Sequence, residues 1–595
     1  MIIQHLFLYI GEVAMFSLLF AMGSILVTWL GLSAVFVGIG LIVNRAFRFK
    51  LEHAEQIFTS FWMGWATALI VLQIWHLRFR VDRRVFVLVS VLGFAGLWWN
   101  RKDIWELFSR SLSRYWSFYA IIVIFCIWLS NQAIGIPKNY DTGMYHLLSV
   151  RWASAYPIVP GLGNLYGPLA HNSSYFLYAA MLDIGPWTHK SHHLAIGLIF
   201  LPLIGQMLLG CVKLIQKQHE WRLARLLNIA LLAAVLYMTN GGQLPSLGTD
   251  LPIFALGVVI SVNLLSFLES PDKPADYTVF FITVLTVVGV TIKLSFLVFG
   301  GMATLVAFGV WIARYRQQRR QNLSSTRRIP NVFIWSAVCA LVVMGIWVSR
   351  SIILSGYIAY PSTIGPVNVE WRVSREQALA EADWIRALGR ALPGFRPGVL
   401  EGWDWLRPWA EQMAHNFVEV VAPCSLLTLG VALLILRKVF SSKEHLKPAH
   451  PPQSLPWLIL IPAFSHLGFW FFSAPAIRFA GSALWVAGAG MFILALNEFH
   501  EPFRRRLLYP VFALFLLILV AGLRNASWVH PGSDHGFHPI PQIELKTFVT
   551  DAGLKIYTPA YGDRCWDAPL PCAPHPYSDL RLRRPEELSS GFIRQ

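Results

Sequence analysis

The sequence predicts an all-α polytopic membrane protein with about 14 or 15 transmembrane helices, two long outer loops and a small extramembrane C-terminal tail. Three observations support this fold class. Of the 595 residues, 55% are hydrophobic and 14% are charged, whereas a soluble globular protein carries about 25% charged residues. Apolar stretches of about 20 residues, the length that a helix needs to cross a membrane, recur along the chain. The longest polar stretches are confined to three places.

Alternating apolar and polar stretches divide the chain into six segments. These are the N-terminal transmembrane helices 1–134, the first outer loop 135–192, the central transmembrane helices 193–355, the second outer loop 356–415, the C-terminal transmembrane helices 416–523 and the tail 524–595. Within the helical segments, the 6–43 stretch is expected to hold two helices that break near Gly23 or Gly31. The last transmembrane helix is expected at 507–523.

The net charge of +17, from 49 Lys and Arg against 32 Asp and Glu, has a membrane pattern. The basic residues cluster in short loops between apolar stretches, as they do on the cytoplasmic side of membrane proteins, so this charge does not indicate nucleic-acid binding. Both long loops and the tail then fall on the non-cytoplasmic side of a cell inner (plasma) membrane. The basic loop 78–84 would fall there too and breaks the pattern; anionic lipid headgroups are one explanation.

The first outer loop contains the residues that most favour chemistry. Asp141 follows a predicted helix exit, and Tyr145 and Trp152 share one face of a short amphipathic helix. A carboxylate placed there can meet a lipid-borne substrate at the water boundary, although Asp is also a common N-cap residue. His146 is either a packed histidine or a base. Arg151 either reaches lipid headgroups or holds a phosphate.

The run Tyr140-Asp141-Thr142-Gly143-Met144-Tyr145-His146-Leu147 resembles a motif of the GT-C superfamily of polyprenyl-phosphate-dependent membrane glycosyltransferases, in a poorly characterised bacterial branch. Members carry an Asp in a long first outer loop, soon after a membrane exit and before an interfacial helix. The resemblance implies that Asp141 activates or positions the acceptor, while Tyr145, His146 and Arg151 contact substrate. Many members have a second acidic residue there. Because Thr142 stands where it would be, no metal ligand is predicted and a divalent metal ion stays an open alternative.

Further stretches fit the same resemblance. Asp250 begins a predicted span and is either a helix cap or a second carboxylate over the site. Lys293 lies in the turn of an apolar helix pair, where it either extends to the surface or binds a lipid phosphate. Arg350 and Tyr360 lie in a segment that resembles a GT-C helix exit, and Arg478 lies in a short turn resembling one whose Arg adjoins donor phosphate. The three cations are thus expected to bind donor phosphate, and Asp250 and Tyr360 to contact substrate.

Local signals also shape the second loop and the tail. Ser374 and Gln377 are the ends of a capping box, which predicts a helix over 378–392. Downstream, a short strand is expected around 554–557.

Two cysteines in the tail, Cys565 and Cys572, lie in a polar, Pro-rich stretch. If the tail is outside the cytoplasm, they are expected to form a disulfide. A metal site is the alternative, but it needs more ligands than the nearby His575 and Asp567 supply.

The resemblance implies an enzyme, a glycosyltransferase that moves a sugar from a polyprenyl-phosphate donor to a glycan, lipid or protein acceptor at the outer, periplasmic face with inversion. No cofactor is specified. A transporter or flippase is an alternative, and it would predict charged residues deep within helices and repeated halves; here the charges lie mainly at outer helix ends. An O-antigen-type ligase or polymerase is a second alternative, kept open by His146, His171, His192 and His193.

Overall fold

A computed structural model describes residues 2–47, 53–216, 222–240, 242–270, 275–320, 331–390, 398–439, 454–499, 504, 506, 517 and 528–594. Within these ranges the chain is mostly α-helical and has four short β-strands. The transmembrane helix predicted at 507–523 lies outside the described residues, apart from residue 517.

The α-helices and strands of the described ranges are as follows in chain order. The helices are α1 (Ile2–Ala46), α2 (Glu55–His76), α3 (Arg83–Trp99), α4 (Arg101–Arg114), α5 (Trp116–Ala133), α6 (Leu147–Ala155), α7 (Leu162–Leu165), α8 (Ser174–Leu182), α9 (Ala195–Gln216), α10 (Leu223–Ala230), α11 (Leu232–Met238), α12 (Asp250–Glu269), α13 (Ala275–Ile292), α14 (Phe296–Arg320), α15 (Asn331–Ser355), α16 (Arg375–Arg390), α17 (Leu406–His415), α18 (Ala422–Val439), α19 (Leu460–Ser473) and α20 (Ala483–Asn497). The strands are β1 (Leu545–Val549), β2 (Lys555–Pro559), β3 (Leu580–Leu582) and β4 (Phe592–Arg594).

Nine helical stretches of the described ranges are long and apolar enough to cross a membrane, which fits a membrane-embedded protein. They are Ala14–Ala46, Glu55–His76, Trp116–Ala133, Ser191–Gln216, Asp250–Glu269, Phe296–Gln317, Asn331–Ser355, Phe417–Val439 and Leu455–Ser473. Three shorter apolar stretches accompany them, at Leu223–Met238, Asp276–Ile292 and Ala483–Asn497. Together they fall short of the predicted 14 or 15 helices within the part of the chain that is described.

One reason for the lower number is the N-terminal helix. The expectation of two helices within 6–43 was wrong, because α1 runs without a break for 45 residues. A Cβ added at either Gly23 or Gly31 would meet open space, so neither position is forced into a turn by its neighbours. In an apolar environment an unbroken helix also keeps all backbone groups hydrogen-bonded.

The stretch at 100–114 is one of the basic segments that were expected to be short loops between apolar stretches, but it forms the amphipathic helix α4. Apolar residues recur along it at helical spacing, and Leu107 is buried. Its charged residues lie between these apolar positions, so charge alone predicts a basic loop here instead of a helix.

The unexplained basic loop 78–84 packs beside the first long loop. The Val81 N–H donates to the Ala153 carbonyl at 2.9 Å. Two of its arginines, Arg80 and Arg84, lie 3.3 and 2.9 Å from the carboxylate of Asp82. Two of the four arginines in this loop therefore share one carboxylate of the same loop.

Both long loops and the tail meet at one end of the helices, which we call the loop side (residues 135–192, 356–390, 398–415 and 528–594). The Gly161 N–H donates to the Ile353 carbonyl at the end of α15, at 2.8 Å. The side-chain amide of Asn164 donates to the carbonyls of Trp371 (2.8 Å) and Phe592 (3.1 Å). One asparagine thus joins the first loop, the second loop and the tail.

A small hydrophobic core holds the loop side together. It contains buried residues from each part, among them Trp152, Val373, Ile556 and Phe592. In the tail β1 pairs with β2 and β3 with β4, both antiparallel. The strand predicted around 554–557 overlaps β2 at residues 555–557. The loop side is a folded unit on the helix ends rather than a set of separate loops.

The helix predicted in the second loop forms as α16. It begins at Arg375, and the Gln377 N–H donates to the Ser374 hydroxyl at 3.2 Å, which is one of the two hydrogen bonds of a capping box. The Gln377 side chain donates instead to the Gly163 carbonyl of the first loop, at 3.0 Å. Its last described residue is Arg390, because 391–397 fall outside the described residues.

Candidate functional site

Two residues 337 positions apart form the first element of the site. The Arg478 Nη1 donates to the Asp141 Oδ2 at 2.8 Å. Asp141 stands directly before a π-helical turn, Thr142–His146, but its side chain makes no capping hydrogen bond to that turn. Arg478 lies in the turn Ile477–Ala480 between α19 and α20. The Asp141 carboxylate is therefore engaged by a cation rather than used as a helix cap.

A second ion pair lies beside the first. Asp250 is the first residue of α12, Lys293 directly follows α13, and the Lys293 ammonium contacts the Asp250 carboxylate. The Lys293 Nζ also lies 3.9 Å from the ring centroid of Phe479, and the guanidinium of the neighbouring Arg478 lies 5.0 Å from the same ring. The Phe479 ring thus joins the two ion pairs into one group, which we call the charge cluster (Asp141, Asp250, Lys293, Arg478).

The charge cluster contains two carboxylates and two cations, but the pKa values of the two cations shift in opposite directions. Burial opposes the charge on Arg478, yet the carboxylates of Asp250 and Asp141 outweigh it and raise the pKa of Arg478 above its ordinary value. Burial lowers the pKa of Lys293, and the Asp250 carboxylate opposes that shift. Each cation responds to both carboxylates, so the four groups act as one electrostatic unit.

Tyr145 and His146 adjoin the charge cluster. Their rings are in contact, with centroids 4.4 Å apart. His146 is 2% exposed, and burial lowers its pKa to about 3 even though the nearby Asp250 carboxylate opposes the shift. At neutral pH His146 is thus an uncharged ring, and its buried Nδ1 makes no hydrogen bond within the described residues.

A second acidic group lies on the other side of Tyr145. The Glu381 Oε1 of α16 is 3.0 Å from the His171 Nε2, and the His171 ring packs edge-on against the Tyr145 ring at 5.5 Å. Burial raises the pKa of Tyr145 and of Tyr166, and the Asp141 and Glu381 carboxylates raise both further. The two tyrosines thus lie within range of both carboxylates.

Tyr360 completes this second part of the site. It is 5% exposed, its ring lies 6.2 Å from that of His171, and its hydroxyl makes no hydrogen bond within the described residues. Burial raises its pKa well above the ordinary value, and the Glu381 carboxylate adds to this. Tyr360 was predicted, but Glu381 was not, because one Glu on an amphipathic helix gives no sequence signal of its own.

Two predicted site residues lie elsewhere. Arg350 was expected to bind donor phosphate with Arg478 and Lys293; it is instead 3% exposed and bonded to Asn172 and His76, so it is not part of the charge cluster. Arg151 pairs with Asp567 of the tail and holds the tail against the first loop. Both arginines contact residues of other loops and helices. The sequence placed each arginine only by its distance from a predicted helix end, so it could not show these contacts.

The tail closes over the first loop beside Asp141. Cys565 and Cys572 form the predicted disulfide, and the Trp566 N–H within this bracket donates to the Gly143 carbonyl at 2.8 Å. A Cβ at Gly143 would lie 2.7 Å from the Trp566 indole. The Tyr140 hydroxyl, on the same loop, hydrogen-bonds the carboxylate of Asp563. The tail segment 563–566 therefore contacts the first loop on both sides of Asp141.

The carboxylates of the charge cluster do not form a ready metal site. Asp141 and Asp250 each contact a cation. Nowhere in the described ranges do three or more His, Cys, Asp or Glu side chains gather closely enough to hold a metal ion.

Comparison with known proteins gives one match. The model of a family described as "Domain of unknown function (DUF8201)" matches residues 22–485. This range contains all four residues of the charge cluster, together with His171 and Glu381, and stops before the tail. No curated protein and no solved structure matches the chain.

Proposed function

The chain belongs to the family Domain of unknown function (DUF8201), and we propose that it is a membrane glycosyltransferase. It moves a sugar from a polyprenyl-phosphate donor to an acceptor hydroxyl with inversion at the anomeric carbon. One observation carries the proposal: Asp141 and Arg478 meet at 2.8 Å, beside Asp250 and Lys293, where apolar helices end. A lipid-linked donor has its phosphate at this depth.

The two cations of the charge cluster supply what the leaving group needs. When the anomeric carbon leaves the donor oxygen, negative charge builds up on the phosphate, and fixed cations lower the energy of that charge. Arg478 offers several planar donors that match a phosphate, and Lys293 adds a compact charge. The Phe479 ring lies against both cations, so they are held side by side before the donor binds.

Asp141 is the proposed base or orienting group for the acceptor. An arriving phosphate competes with Asp141 for Arg478, so donor binding frees the Asp141 carboxylate beside the reacting carbon. The acceptor oxygen then bonds to the anomeric carbon, the bond from that carbon to the phosphate oxygen breaks, and the acceptor proton passes to Asp141. The electron pair of the broken bond remains on the phosphate.

The half of the site that contains three tyrosines suits a sugar. Tyr145, Tyr166 and Tyr360 offer phenol groups and ring faces, and all three have raised pKa values from burial, so they stay protonated at neutral pH. Protonated phenols donate and accept hydrogen bonds, which is what a polyhydroxyl substrate requires. Glu381 and His171 add an acceptor and a donor on the same side.

The test compares sugar transfer with transport. The full chain in nanodiscs, and separately in sealed vesicles, is given radiolabelled polyprenyl-phosphate sugars and cell-envelope acceptors. We expect transfer by the wild type and a fall of at least about 100-fold for Asp141→Asn. The matched control, Asp551→Asn, changes an exposed Asp of the tail and should keep full activity.

Two outcomes would contradict the proposal. Equal transfer by wild type and Asp141→Asn would remove Asp141 from the reaction. Movement of the labelled lipid or sugar across sealed vesicles without transfer would instead favour the transporter or flippase, and growth of a glycan chain on one lipid carrier would favour a ligase or polymerase.

A further inference from the structure

A buried arginine near the loop side has no carboxylate partner. Arg350 lies one turn before the end of α15, is 3% exposed and forms no ion pair with any residue that the structure describes. An ionised group removed from water without an opposite charge is strongly destabilising. A guanidinium does not escape this by losing its proton, because it stays charged under nearly all conditions.

Both hydrogen-bond partners of Arg350 are uncharged. Its Nε donates to the Asn172 Oδ1 at 3.2 Å, and the Asn172 Nδ2 donates to the Trp347 carbonyl at 2.8 Å, which fixes the orientation of the amide. Its Nη1 lies 2.9 Å from the His76 Nδ1. Because the His76 Nε2 lies 3.2 Å from the Tyr156 carbonyl, which can only accept, Nε2 carries the proton and Nδ1 is a neutral acceptor.

A small cavity adjoins the guanidinium. Its volume is about 40 Å³, and Arg350, Trp152 and Ser173 are among the residues that line it. Within the described residues, the Trp152 Nε1 and the Ser173 Oγ are buried and make no hydrogen bond. Trp152 and Ser173 are 3% and 7% exposed. One buried cation and two unused hydrogen-bond donors therefore surround the same space.

We propose that this cavity binds one monatomic anion of the size of chloride. Buried polar groups are normally paired, and an anion here would pair the Arg350 guanidinium, the Trp152 indole N–H and the Ser173 hydroxyl together. A volume of about 40 Å³ exceeds the roughly 10–15 Å³ that a single water needs. Chloride carries a single negative charge, which one guanidinium balances, whereas phosphate brings up to two charges at neutral pH and would leave one of them buried without a partner.

The anion site is separate from the proposed donor site. Phe176 lines the cavity, and on another side its ring packs at 5.0 Å against that of His146. Arg350 itself joins α15 to α2 through His76 and to the first loop through Asn172. An anion would add the Trp152 indole and the Ser173 hydroxyl to this set of contacts. Its effect is thus on the stability of the loop side, and it does not depend on the proposed sugar transfer.

The experiment uses the purified full chain in nanodiscs with sodium chloride, sodium gluconate or sodium phosphate at equal ionic strength. We expect chloride to raise the melting temperature by at least about 2 °C over gluconate in a saturable way, because a ligand that binds only the folded state stabilises it. Equilibrium dialysis with ³⁶Cl should give about one bound ion per chain. Phosphate should have no more effect than gluconate.

Three variants connect the effect to the cavity. Arg350→Gln should abolish saturable ³⁶Cl binding, and Ser173→Ala, which keeps the charge, should weaken it several-fold. The control Arg375→Gln removes an exposed arginine at the start of α16 and should leave binding unchanged.

The proposal is overturned if the wild type shows no saturable ³⁶Cl binding, if phosphate stabilises it as chloride does, or if Ser173→Ala binds ³⁶Cl as the wild type does. The dialysis of wild type and Ser173→Ala decides the matter even if Arg350→Gln fails to fold.

Discussion

Arg478 donates to Asp141 across 337 positions of sequence, at 2.8 Å, and both side chains are largely buried, with 32% and 16% exposed. A pair in this position brings the first loop and the turn between α19 and α20 to one point. Surface ion pairs contribute little to stability, but a partly desolvated pair beside a second one constrains where a charged ligand can bind. The following predictions derive from this arrangement.

The stability losses from removing either partner of the second ion pair should not be additive. Lys293→Met leaves the Asp250 carboxylate partly buried without its cation, and Asp250→Asn leaves the Lys293 ammonium partly buried without its carboxylate. Each single variant should lose about 1–3 kcal/mol of unfolding free energy, and the double variant should lose less than the sum of the two. Thermal unfolding of the four proteins measures this, with the exposed Lys555→Met as a control. Strictly additive losses would show that the two side chains do not interact.

His146 should make the protein sensitive to acid. Its pKa is about 3 in the folded chain, because of burial, and about 6.5 when unfolded. The unfolded state therefore binds the proton first, so the contribution of neutral His146 is present above pH 6.5 and is lost as the pH falls towards 3. Between pH 3 and pH 6.5, the melting temperature of His146→Gln should depend less on pH than that of the wild type. The charged and titratable groups around position 146 are the same in both proteins, namely Asp250, Arg478, His171 and Lys293. The difference between the two melting curves therefore reports the titration of His146. Parallel dependence of the two melting temperatures on pH would contradict the prediction.

Gly143→Ala should disturb the loop of Asp141. The added Cβ would lie 2.7 Å from the Trp566 indole, too close without movement of the tail or the loop. We expect a loss of about 1–3 kcal/mol in stability and lower transfer activity. Gly345→Ala is the matched control, because the same methyl on α15 meets open space. If both variants behave alike in thermal unfolding and transfer, the contact between tail and loop does not position Asp141.

Glu381→Gln should separate the two halves of the site. It removes the charge that faces His171 but leaves the charge cluster, on the other side of Tyr145, intact. We expect sugar transfer to fall by about tenfold or more while binding of a polyprenyl phosphate stays within about twofold. The control Glu376→Gln changes an exposed Glu on the same helix. A loss of lipid-phosphate binding in Glu381→Gln alone would place Glu381 in the phosphate half instead.

The sequence predicted which residues lie at helix ends better than it predicted which residues contact each other across helices. Asp250 and Lys293 each stand at the end of an apolar stretch, and hydrophobic length alone places such residues near one end of the bundle. Which helices lie side by side depends on lateral packing, and no single apolar stretch encodes that. The contact of Lys293 with Asp250, and of Arg478 with Asp141, could therefore be suspected from residue type but not located.

The same limit explains the misplaced and missed residues. Arg350 lies near the end of α15, as predicted, but its side chain points towards His76 and Asn172. The direction in which it points depends on the rotation of α15 about its axis, which the sequence of an apolar helix does not reveal. Glu381 reaches the site because α16 folds back over the first loop, where the Gln377 side chain donates to the Gly163 carbonyl. The capping box predicted that α16 would form, but local signals do not say where a helix docks.

The most direct test of the account is binding of a radiolabelled polyprenyl phosphate, without sugar, to the full chain in nanodiscs. The account predicts that Arg478→Gln weakens binding at least about tenfold, since a charge-assisted contact to phosphate is lost. It also predicts that Asp141→Asn binds as tightly as the wild type or more tightly, because the phosphate no longer competes with a carboxylate for Arg478. Unchanged binding by Arg478→Gln, or weaker binding by Asp141→Asn, would contradict it.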